Sequence, residues 1–344
     1  MYNAFMKSPN RAEPMPVKYW SRAGLMITDG CSAACASCYL RCRPGQARWM
    51  SVETAVGLWA GLSRLSPHGC RVHVTGGEPF LDWRKLIEIL QAAAKENLFA
   101  DSVETNGFWA TDDAVIRDRL QALEAAGVRE LAISADPFHQ EFVPIERVRR
   151  LAAVAVALLG ADRVRVRWRD WLDAGCDVQA MNPQQREALF REWIASGRDR
   201  LNGRAAEALA DSLPLQSAEA FAGQNCRGGI LRSRHVHIGP DGNVTPGVCA
   251  GLSVGKLNPP WEESISILWN ALRENSMNRP ILGRLIENGP MALLQLAQQK
   301  GLPVPQLEKG FASKCHLCWT ARTALATTGE FSGELAPPEV YRPY

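Results

Sequence analysis

The chain has 344 residues, 46% apolar and 22% charged, with a formal net charge of +3. That length can bury a large core and suits one large domain plus a small one. The nearly balanced charge creates no demand for a nucleic acid or an anionic membrane as partner. The longest apolar run, residues 151–161, is too short to cross a bilayer. Residues 1–22 carry prolines and charges rather than the apolar centre of a signal peptide. Ten cysteines in such a chain argue for a reducing compartment, the cytoplasm, and for metal or catalytic use rather than disulfides.

The first apolar stretch, Gly24-Leu25-Met26-Ile27-Thr28, reads as a strand. It runs into Asp29-Gly30-Cys31-Ser32-Ala33-Ala34-Cys35-Ala36-Ser37-Cys38-Tyr39, a C-x3-C-x2-C triplet. Three thiolates from one loop hold three corners of a cubane iron–sulfur cluster and leave the fourth iron open to bind and activate a small molecule. Such a loop points to an enzyme rather than an electron carrier. Zinc is the competing reading: a structural site takes four ligands and Cys42 is available as the fourth, but the C-x3-C spacing fits a zinc knuckle poorly. A helix then begins with Ser51 as N-cap. A second strand, residues 72–75, ends in Gly76-Gly77-Glu78-Pro79-Phe80. Two glycines let backbone approach a ligand closely, and proline fixes the turn into the next helix. Taken alone, this segment is also a tight strand-to-helix connection.

C-x3-C-x2-C followed by Gly-Gly-Glu-Pro, in this order and at this separation, resembles the radical S-adenosylmethionine (radical SAM) superfamily. The resemblance implies a [4Fe-4S] cluster on Cys31, Cys35 and Cys38, with SAM chelating the open iron through its amino and carboxylate groups. It implies that Gly76, Gly77, Glu78 and Pro79 bind the methionyl ammonium. One position departs from the family pattern. An aromatic residue usually precedes the third cysteine and touches the adenine; Ser37 stands there, and the aromatic, Tyr39, follows Cys38.

Strand and amphipathic helix alternate as far as about residue 195. Further strands are expected over 102–105, 130–134 and 163–168. Helices are expected over 82–97, over 111–126 with Gly127 as the stop, and over 145–159 after Pro144. This alternation implies an α/β protein with a parallel sheet and right-handed crossovers. The resemblance narrows it to a partial (β/α)6 TIM-like barrel with ligands at the carboxyl ends of the strands. Those ends are polar or glycine-rich: Glu104-Thr105-Asn106-Gly107 after the third, Ser134-Ala135-Asp136-Pro137-Phe138-His139 after the fourth, Arg167-Trp168-Arg169-Asp170-Trp171 after the fifth. Period-two alternation sends Ser134 and Asp136, and Arg165, Arg167 and Arg169, toward the lumen. Candidate cofactor-binding residues beside 76–79 are therefore Tyr39, Glu104, Asn106, Ser134, Asp136 and Arg167. The resemblance assigns Asn106 and Ser134 to the SAM ribose hydroxyls. An inward Arg167 or Arg169 would pair with the SAM carboxylate in bidentate fashion. The alternative is that these arginines flank a solvated edge, which a barrel strand lacks.

The expected organisation is an N-terminal segment (1–22), the partial barrel (23–196), a bridge (197–220) and a small cluster-binding C-terminal extension (221–344). The extension opens on a hairpin, 234–238 and 243–249, about Gly239-Pro240-Asp241-Gly242. Helices follow near 264–274 and 280–300. Cys226, Cys249, Cys315 and Cys318 are the number of thiolates that a cubane or a zinc ion needs. The hairpin with its following cysteine resembles the SPASM or shorter twitch extensions of radical SAM enzymes, which implies one auxiliary [4Fe-4S] cluster. A zinc site built on Cys315 and Cys318, or four unrelated core thiols, are the alternatives. Cys70 reads as core packing and Cys42 as a bystander. Cys176, after the fifth strand, is either a hydrogen-atom donor or a buried thiol. His139 is either an acid–base group at the pocket rim or a hydrogen-bonded structural residue.

The resemblance implies that a flavodoxin-like or ferredoxin-like donor supplies an electron. SAM is then cleaved to methionine and a 5′-deoxyadenosyl radical, which removes hydrogen from a substrate at the barrel mouth. An auxiliary cluster would bind substrate or accept an electron, making the net reaction an oxidation. Peptide or protein modification is the first expectation. Only thirty residues precede Cys31, too few for a leader-binding domain, so a peptide would arrive through a separate protein or bind directly. The alternative is a small-molecule oxidoreductase in cofactor, sugar or natural-product biosynthesis, resembling the sugar alcohol dehydrogenases with one extra cluster. A non-catalytic metal-binding redox sensor is the reading from another class. A sensor needs no SAM pocket, so residues 76–79 and the polar strand ends argue against it.

Overall fold

Strand β1, Arg22–Thr28, lies inside the sheet with six of its seven residues buried. A strand paired on both sides and covered on both faces must be apolar or small along its length, and Ala23-Gly24-Leu25-Met26-Ile27 is. The computed structural model describes residues 17–45 and 47–341; residues 1–16 of the expected N-terminal segment lie outside the described residues. After β1 come α1 (Val52–Leu65), β2 (Arg71–Gly76), α2 (Trp83–Lys95), β3 (Ser102–Thr105), α3 (Asp113–Ala125) and β4 (Leu131–Ser134). A one-turn α4 (Pro137–Gln140), α5 (Ile145–Leu159), β5 (Val164–Arg167), α6 (Arg169–Ala174) and α7 (Pro183–Ala195) follow. Local signals set many of these starts. The side chains of Ser51, Asp82 and Asp112 accept backbone N–H groups at the openings of α1, α2 and α3. Asn182 and Gln185 form a capping box on α7.

β1 to β5 pair in parallel, in the order β5-β4-β3-β2-β1. One face of the sheet is apolar: Leu25, Val72, Val74, Val103, Leu131, Ile133 and Val164 share a single core with Leu58, Leu62, Ile89, Leu120 and Leu151 of the helices. Each such side chain contributes about 1.5–3 kcal/mol when fully buried. The register puts the polar set on the other face: Gly24 beside His73, His73 beside Ser102, Glu104 beside Ala132, Ser134 beside Arg167. This face is the lumen.

The bridge contains α8 (Arg204–Ala208), and α9 (Arg227–Ile230) opens the extension. Strand β6 (His235–Ile238) then pairs in parallel with β1 on the side away from β2. It continues antiparallel into β7 (Asn243–Pro246) and β8 (Gly255–Lys256). Helices α10 (Trp261–Asn275), α11 (Leu282–Glu287), α12 (Pro290–Gln299) and α13 (Lys314–Ala326) complete the chain. The protein is thus α/β with a parallel sheet of partial-barrel type that does not close. The sixth parallel strand comes from the hairpin, so the extension prolongs the main sheet. Among the described residues no helix is long and apolar enough to cross a membrane.

Three expectations change. The fifth strand stops at Arg167 because Trp168 takes a left-handed conformation, φ +66°, and starts α6, so Arg169 is a helical residue and not part of the lumen face. β5 pairs with β4 alone among the described residues, so Arg165 and Arg167 do flank an open edge. The single helix over 280–300 is two, because Pro290 has no N–H to continue α11 and begins α12 instead.

At the carboxyl ends of β1 and β2 the two sequence motifs touch through backbone. The Gly77 N–H donates to the Thr28 carbonyl at 2.9 Å, and the Glu78 N–H donates to Gly30 at 2.8 Å. A β-carbon on Gly77 would stand 1.8 Å from the Gly30 carbonyl oxygen, and one on Gly76 would stand 2.2 Å from that of Thr28. Neither neighbour is a flexible side chain that can swing away. Gly77→Ala is therefore expected to destabilise the metal-free protein by about 2–3 kcal/mol. Urea denaturation measures it, and wild-type stability in this variant would show that the two loops are not in contact.

Candidate active site

The cysteine loop begins where Thr28 Oγ1 accepts the Gly30 N–H at 3.0 Å and turns the chain out of β1. The Cys31 N–H donates to Arg43 O at 3.2 Å, and that of Cys38 to Cys35 O at 3.0 Å. Cys35 is buried, while Cys31 and Cys38 are half-buried. Each of the three thiols is within electrostatic reach of the other two. Burial pushes Cys31 up to about 12. Burial likewise lifts Cys35 well above the ordinary thiol range, against the Arg204 charge. Cys38 is lowered to about 6, first by a hydrogen bond from Cys42, then, against burial, by Arg204. Cys42 is driven up by the same bond.

These thiols fit a cluster. The donors are three sulfurs from one loop, the set a soft iron–sulfur centre takes. Two of the three resist ionisation unless a cation stands beside them. N–H groups already point at sulfur: Ala33 N is 3.4 Å and Asn106 Nδ2 3.8 Å from Cys31 Sγ. Cys31, Cys35 and Cys38 would hold the cluster, and the close packing of Gly76 and Gly77 on Thr28 and Gly30 fixes the root of the loop against the end of β2.

The residue that clamps this loop is Arg204, which sequence reasoning missed. Its guanidinium donates to the carbonyls of Cys35 at 2.7 Å, Arg41 at 3.0 Å and Cys42 at 2.9 Å. Its own N–H donates to Cys38 O at 3.0 Å. One side chain from α8 thus occupies the carbonyls that a loop of this shape leaves without partners. A bridge arginine more than 160 positions from its targets gives no local sequence signal.

The remaining candidates divide. Glu78 is 1% exposed. Its Oε1 accepts Phe80 N–H at 3.1 Å and the Thr105 hydroxyl at 3.0 Å, and its Oε2 accepts Asn106 N–H at 2.7 Å. Burial raises this carboxyl to about 7 against those bonds. Both oxygens serve the protein, so Glu78 fastens the turn at Pro79 to the end of β3. Asn106 is buried, and its amide reaches Ser32 Oγ at 3.0 Å beside the Cys31 sulfur, which brings it to the loop. Asp136 caps α4 through the N–H groups of Phe138 and His139, and its Oδ2 is 2.7 Å from His139 Nδ1. Burial opposes both charges of this pair. The partner charge and hydrogen bond prevail, holding Asp136 below its ordinary value and His139 above it.

Ser134 and Arg167 face the lumen side by side, but Arg167 is half-exposed and donates to Asp199 Oδ1 at 2.7 Å. An open edge let a carboxylate from beyond the strand reach it. Glu104 and Tyr39 turn toward histidines: Glu104 accepts the Thr75 hydroxyl at 2.7 Å and lies 3.9 Å from His73 Nε2. The Tyr39 hydroxyl lies 3.4 Å from His237 Nε2. Cys176, beyond α6, packs half-buried on the core, and no hydrogen bond among the described residues ties it to the loop. Cys70, pushed up to about 12 by burial, also packs on the core.

The second cysteine set converges. Cys226 precedes α9, Cys249 follows β7, and Cys315 and Cys318 lie in the first turns of α13, whose N-cap is Ser313. Every pair among the four thiols interacts electrostatically. Beside them Arg322 is 2% exposed. It donates to Ala250 O at 2.8 Å, and its Nε is buried without a hydrogen-bond partner. No carboxylate among the described residues pairs with it. Burial works against this cation; Cys318, then Tyr341, then Cys249 favour it once ionised, and on balance its pKa is raised. A buried charge without a counter-charge is costly, and ionised thiols at this place would offset that cost.

The sequence model of the Radical SAM superfamily matches residues 25–167, the span from β1 to the end of β5 that contains both motifs. The match is confined to these residues, under half of the chain. Comparison with curated proteins gives no match. Three solved structures are similar. BtrN in complex with AdoMet and 2-DOIA is 17% identical, with a TM-score of 0.48, over 80% of this chain and 90% of that one. SuiB of Streptococcus suis bound to S-adenosylmethionine is 12% identical, with a TM-score of 0.38, over 80% and 74%. Native anSMEcpe with AdoMet and Cp18Cys peptide is 15% identical, with a TM-score of 0.35, over 78% and 89%.

Removing the clamp should be felt at both levels. Arg204→Ala leaves three carbonyls unpaired and is expected to cost about 2–4 kcal/mol, and to lower iron per chain after reconstitution. Arg204→Lys should restore little, because an ammonium cannot span the three acceptors. Unchanged urea midpoint and iron content in Arg204→Ala would remove the clamp from the account. For the Asp136 and His139 pair, the raised imidazole adds stability that is complete below its unfolded pKa and is lost as pH rises through the folded one. The depressed carboxyl adds stability that is complete above its unfolded pKa and is lost as pH falls through the folded one. The stability lost in His139→Gln should therefore be larger at about pH 5.5 than at about pH 8.5. Equal losses in urea at both would contradict the pairing.

Proposed function

We propose that the protein is a radical SAM enzyme that removes a hydrogen atom from its substrate, with Cys31, Cys35 and Cys38 holding a [4Fe-4S] cluster beside SAM. The observation that carries this reading is the backbone contact between Gly77 and Gly30, which seats the root of a three-thiol loop directly on the Gly-Gly-Glu-Pro turn. When bound, cluster and SAM supply reductive sulfonium cleavage and a hydrogen-abstracting 5′-deoxyadenosyl radical. The chain's own residues hold the geometry for it. Arg204 fixes the loop carbonyls, Asn106 ties Ser32 and the Cys31 sulfur to the end of β3, and Glu78 locks the turn to that same end. In this reading Ser134 and Asn106 serve the ribose, and a flavodoxin-like or ferredoxin-like protein delivers the electron.

Cys226, Cys249, Cys315 and Cys318 hold an auxiliary [4Fe-4S] cluster in the same reading. It is supported by the convergence of the four thiols and by the unpaired cation of Arg322 beside them. The substrate expected from the resemblance is a peptide or protein. A second reading, small-molecule oxidation, is favoured by a cavity of about 360 Å³ next to the cysteine loop, lined among others by Asp29, Tyr39, Asn243 and Lys256. That volume suits a small polar molecule.

Anaerobic reconstitution with iron and sulfide, followed by reduction in the presence of SAM, tests the reading. About eight irons per chain and formation of 5′-deoxyadenosine are expected. Combined alanine replacement of Cys31, Cys35 and Cys38 should abolish 5′-deoxyadenosine. Serine replacement of the four C-terminal cysteines should leave about four irons. Retained cleavage in the first variant refutes the assignment, and about eight irons in the second refutes the auxiliary site.

A further inference from the structure

Deeper in the lumen, three imidazoles meet over one glycine. His73 of β2 and His237 of β6 both pair in register with Gly24 of β1, and His235 lies two residues earlier on β6, opposite Arg22. One ring nitrogen from each histidine lies within 4.8 Å of the other two. The ring centroids are 4.6, 5.1 and 5.5 Å apart. His73 is 9% exposed and His237 4%. A β-carbon at position 24 would stand 2.3 Å from His237 Cδ2 and 2.7 Å from His73 Nε2. Glycine here, in the middle of a buried strand where it weakens the strand, is what admits the rings.

We propose that His73, His235 and His237 bind a single divalent transition-metal ion of the zinc class, which ties the C-terminal hairpin to the barrel across β1. Two geometric features of the cluster are those of a ligand set, and the burial of the rings agrees with them. His237 Nδ1 lies 2.6 Å from the Gly247 carbonyl and donates its N–H there, so Nε2 carries the lone pair. A second nitrogen held by a backbone carbonyl is the usual outer arrangement of a metal-bound imidazole. His235 Nε2 is buried and has no hydrogen-bond partner among the described residues, a place that a metal bond fills. Burial, before all else, drives His73 to about 4 and His235 to about 3 and lowers His237, so all three are neutral donors near pH 7.

The fourth position is an oxygen. Glu104 Oε1 lies 3.9 Å from His73 Nε2, and its other oxygen is fixed by the Thr75 hydroxyl at 2.7 Å. Arg165 acts on both Glu104 and His73, and Arg22 acts on His73. Three imidazoles and a carboxylate or water suit zinc. The set contains no sulfur, which separates it from both cysteine sites, and it does not depend on the function proposed above. The competing arrangement is a packed neutral cluster in which the Tyr39 hydroxyl, 3.4 Å away, is the partner of His237 Nε2.

The test uses the full chain, reconstituted with iron, equilibrated with zinc sulfate, freed of excess metal and analysed for zinc and iron. The zinc K-edge spectrum is recorded on the same sample. The wild type is expected to hold one more zinc per chain than His235→Ala, at equal iron, with nitrogen and oxygen scatterers at about 2.0–2.1 Å. Zinc should raise the melting temperature of the wild type and leave that of His235→Ala unchanged. His73→Ala and His237→Ala should behave as His235→Ala does. Should either fail to fold, His235→Ala, at a partly exposed position, decides alone, with circular dichroism as its folding control. Equal zinc in wild type and His235→Ala, no zinc in either, or a spectrum with sulfur scatterers only would overturn the proposal.

Discussion

At the top of the sheet, the backbone of Gly77 lies directly against the backbone of Gly30, with no room for an atom between them. Two main-chain hydrogen bonds, from Gly77 to Thr28 and from Glu78 to Gly30, hold that contact. Everything at this end of the molecule is referred to it. It sets the height of the cysteine loop relative to β2. Glu78 turns inward and spends its carboxylate on the end of β3, which carries the same constraint one strand further. Asn106 then returns to the loop through Ser32. The path closes on itself, so the loop is held from both its root and its flank.

Charge placement completes the support. Arg204 donates to carbonyls across the loop, and Arg322 lies buried beside the C-terminal thiols. Neither is chiefly an ion-pair residue. Each is a cation next to thiols, and each lowers the cost of an ionised sulfur in a medium that solvates it poorly. Arg204 also satisfies backbone acceptors that water would otherwise have to reach. The bridge thus supplies the cation beside the N-terminal thiols, and the extension supplies the one beside its own.

The sheet has two kinds of lumen. Near the carboxyl ends of the strands it offers cysteine loops, amides and hydroxyls. Lower down, around Gly24, it offers three neutral imidazoles and one carboxylate. Strand β6 makes the second region possible, because it enters beside β1 in parallel and brings His235 and His237 to the same level as His73. The other side of the sheet stays open at β5, where Arg165 and Arg167 meet Glu130 and Asp199 at the edge.

What the amino-acid order determined was local or periodic. The strands at 72–75 and 102–105 and the helix at 145–159 follow from alternation and capping. The cysteine triplet, the Gly-Gly-Glu-Pro turn and the hairpin at 239–242 follow from short spacings whose chemistry does not depend on distant partners. What only the tertiary structure decided involves residues far apart in the chain: Arg204 on the loop, Arg322 beside four thiols, Asp199 on Arg167, and β6 against β1. Trp168, whose left-handed backbone ends the fifth strand early, and Pro290, which splits a helix, lie between these cases, since a single residue broke a pattern that a window of neighbours supported. The three histidines show the reason most directly. Each is unremarkable in its own strand, and only the pairing of strands separated by more than 160 residues, over a residue with no side chain, brings their nitrogens together.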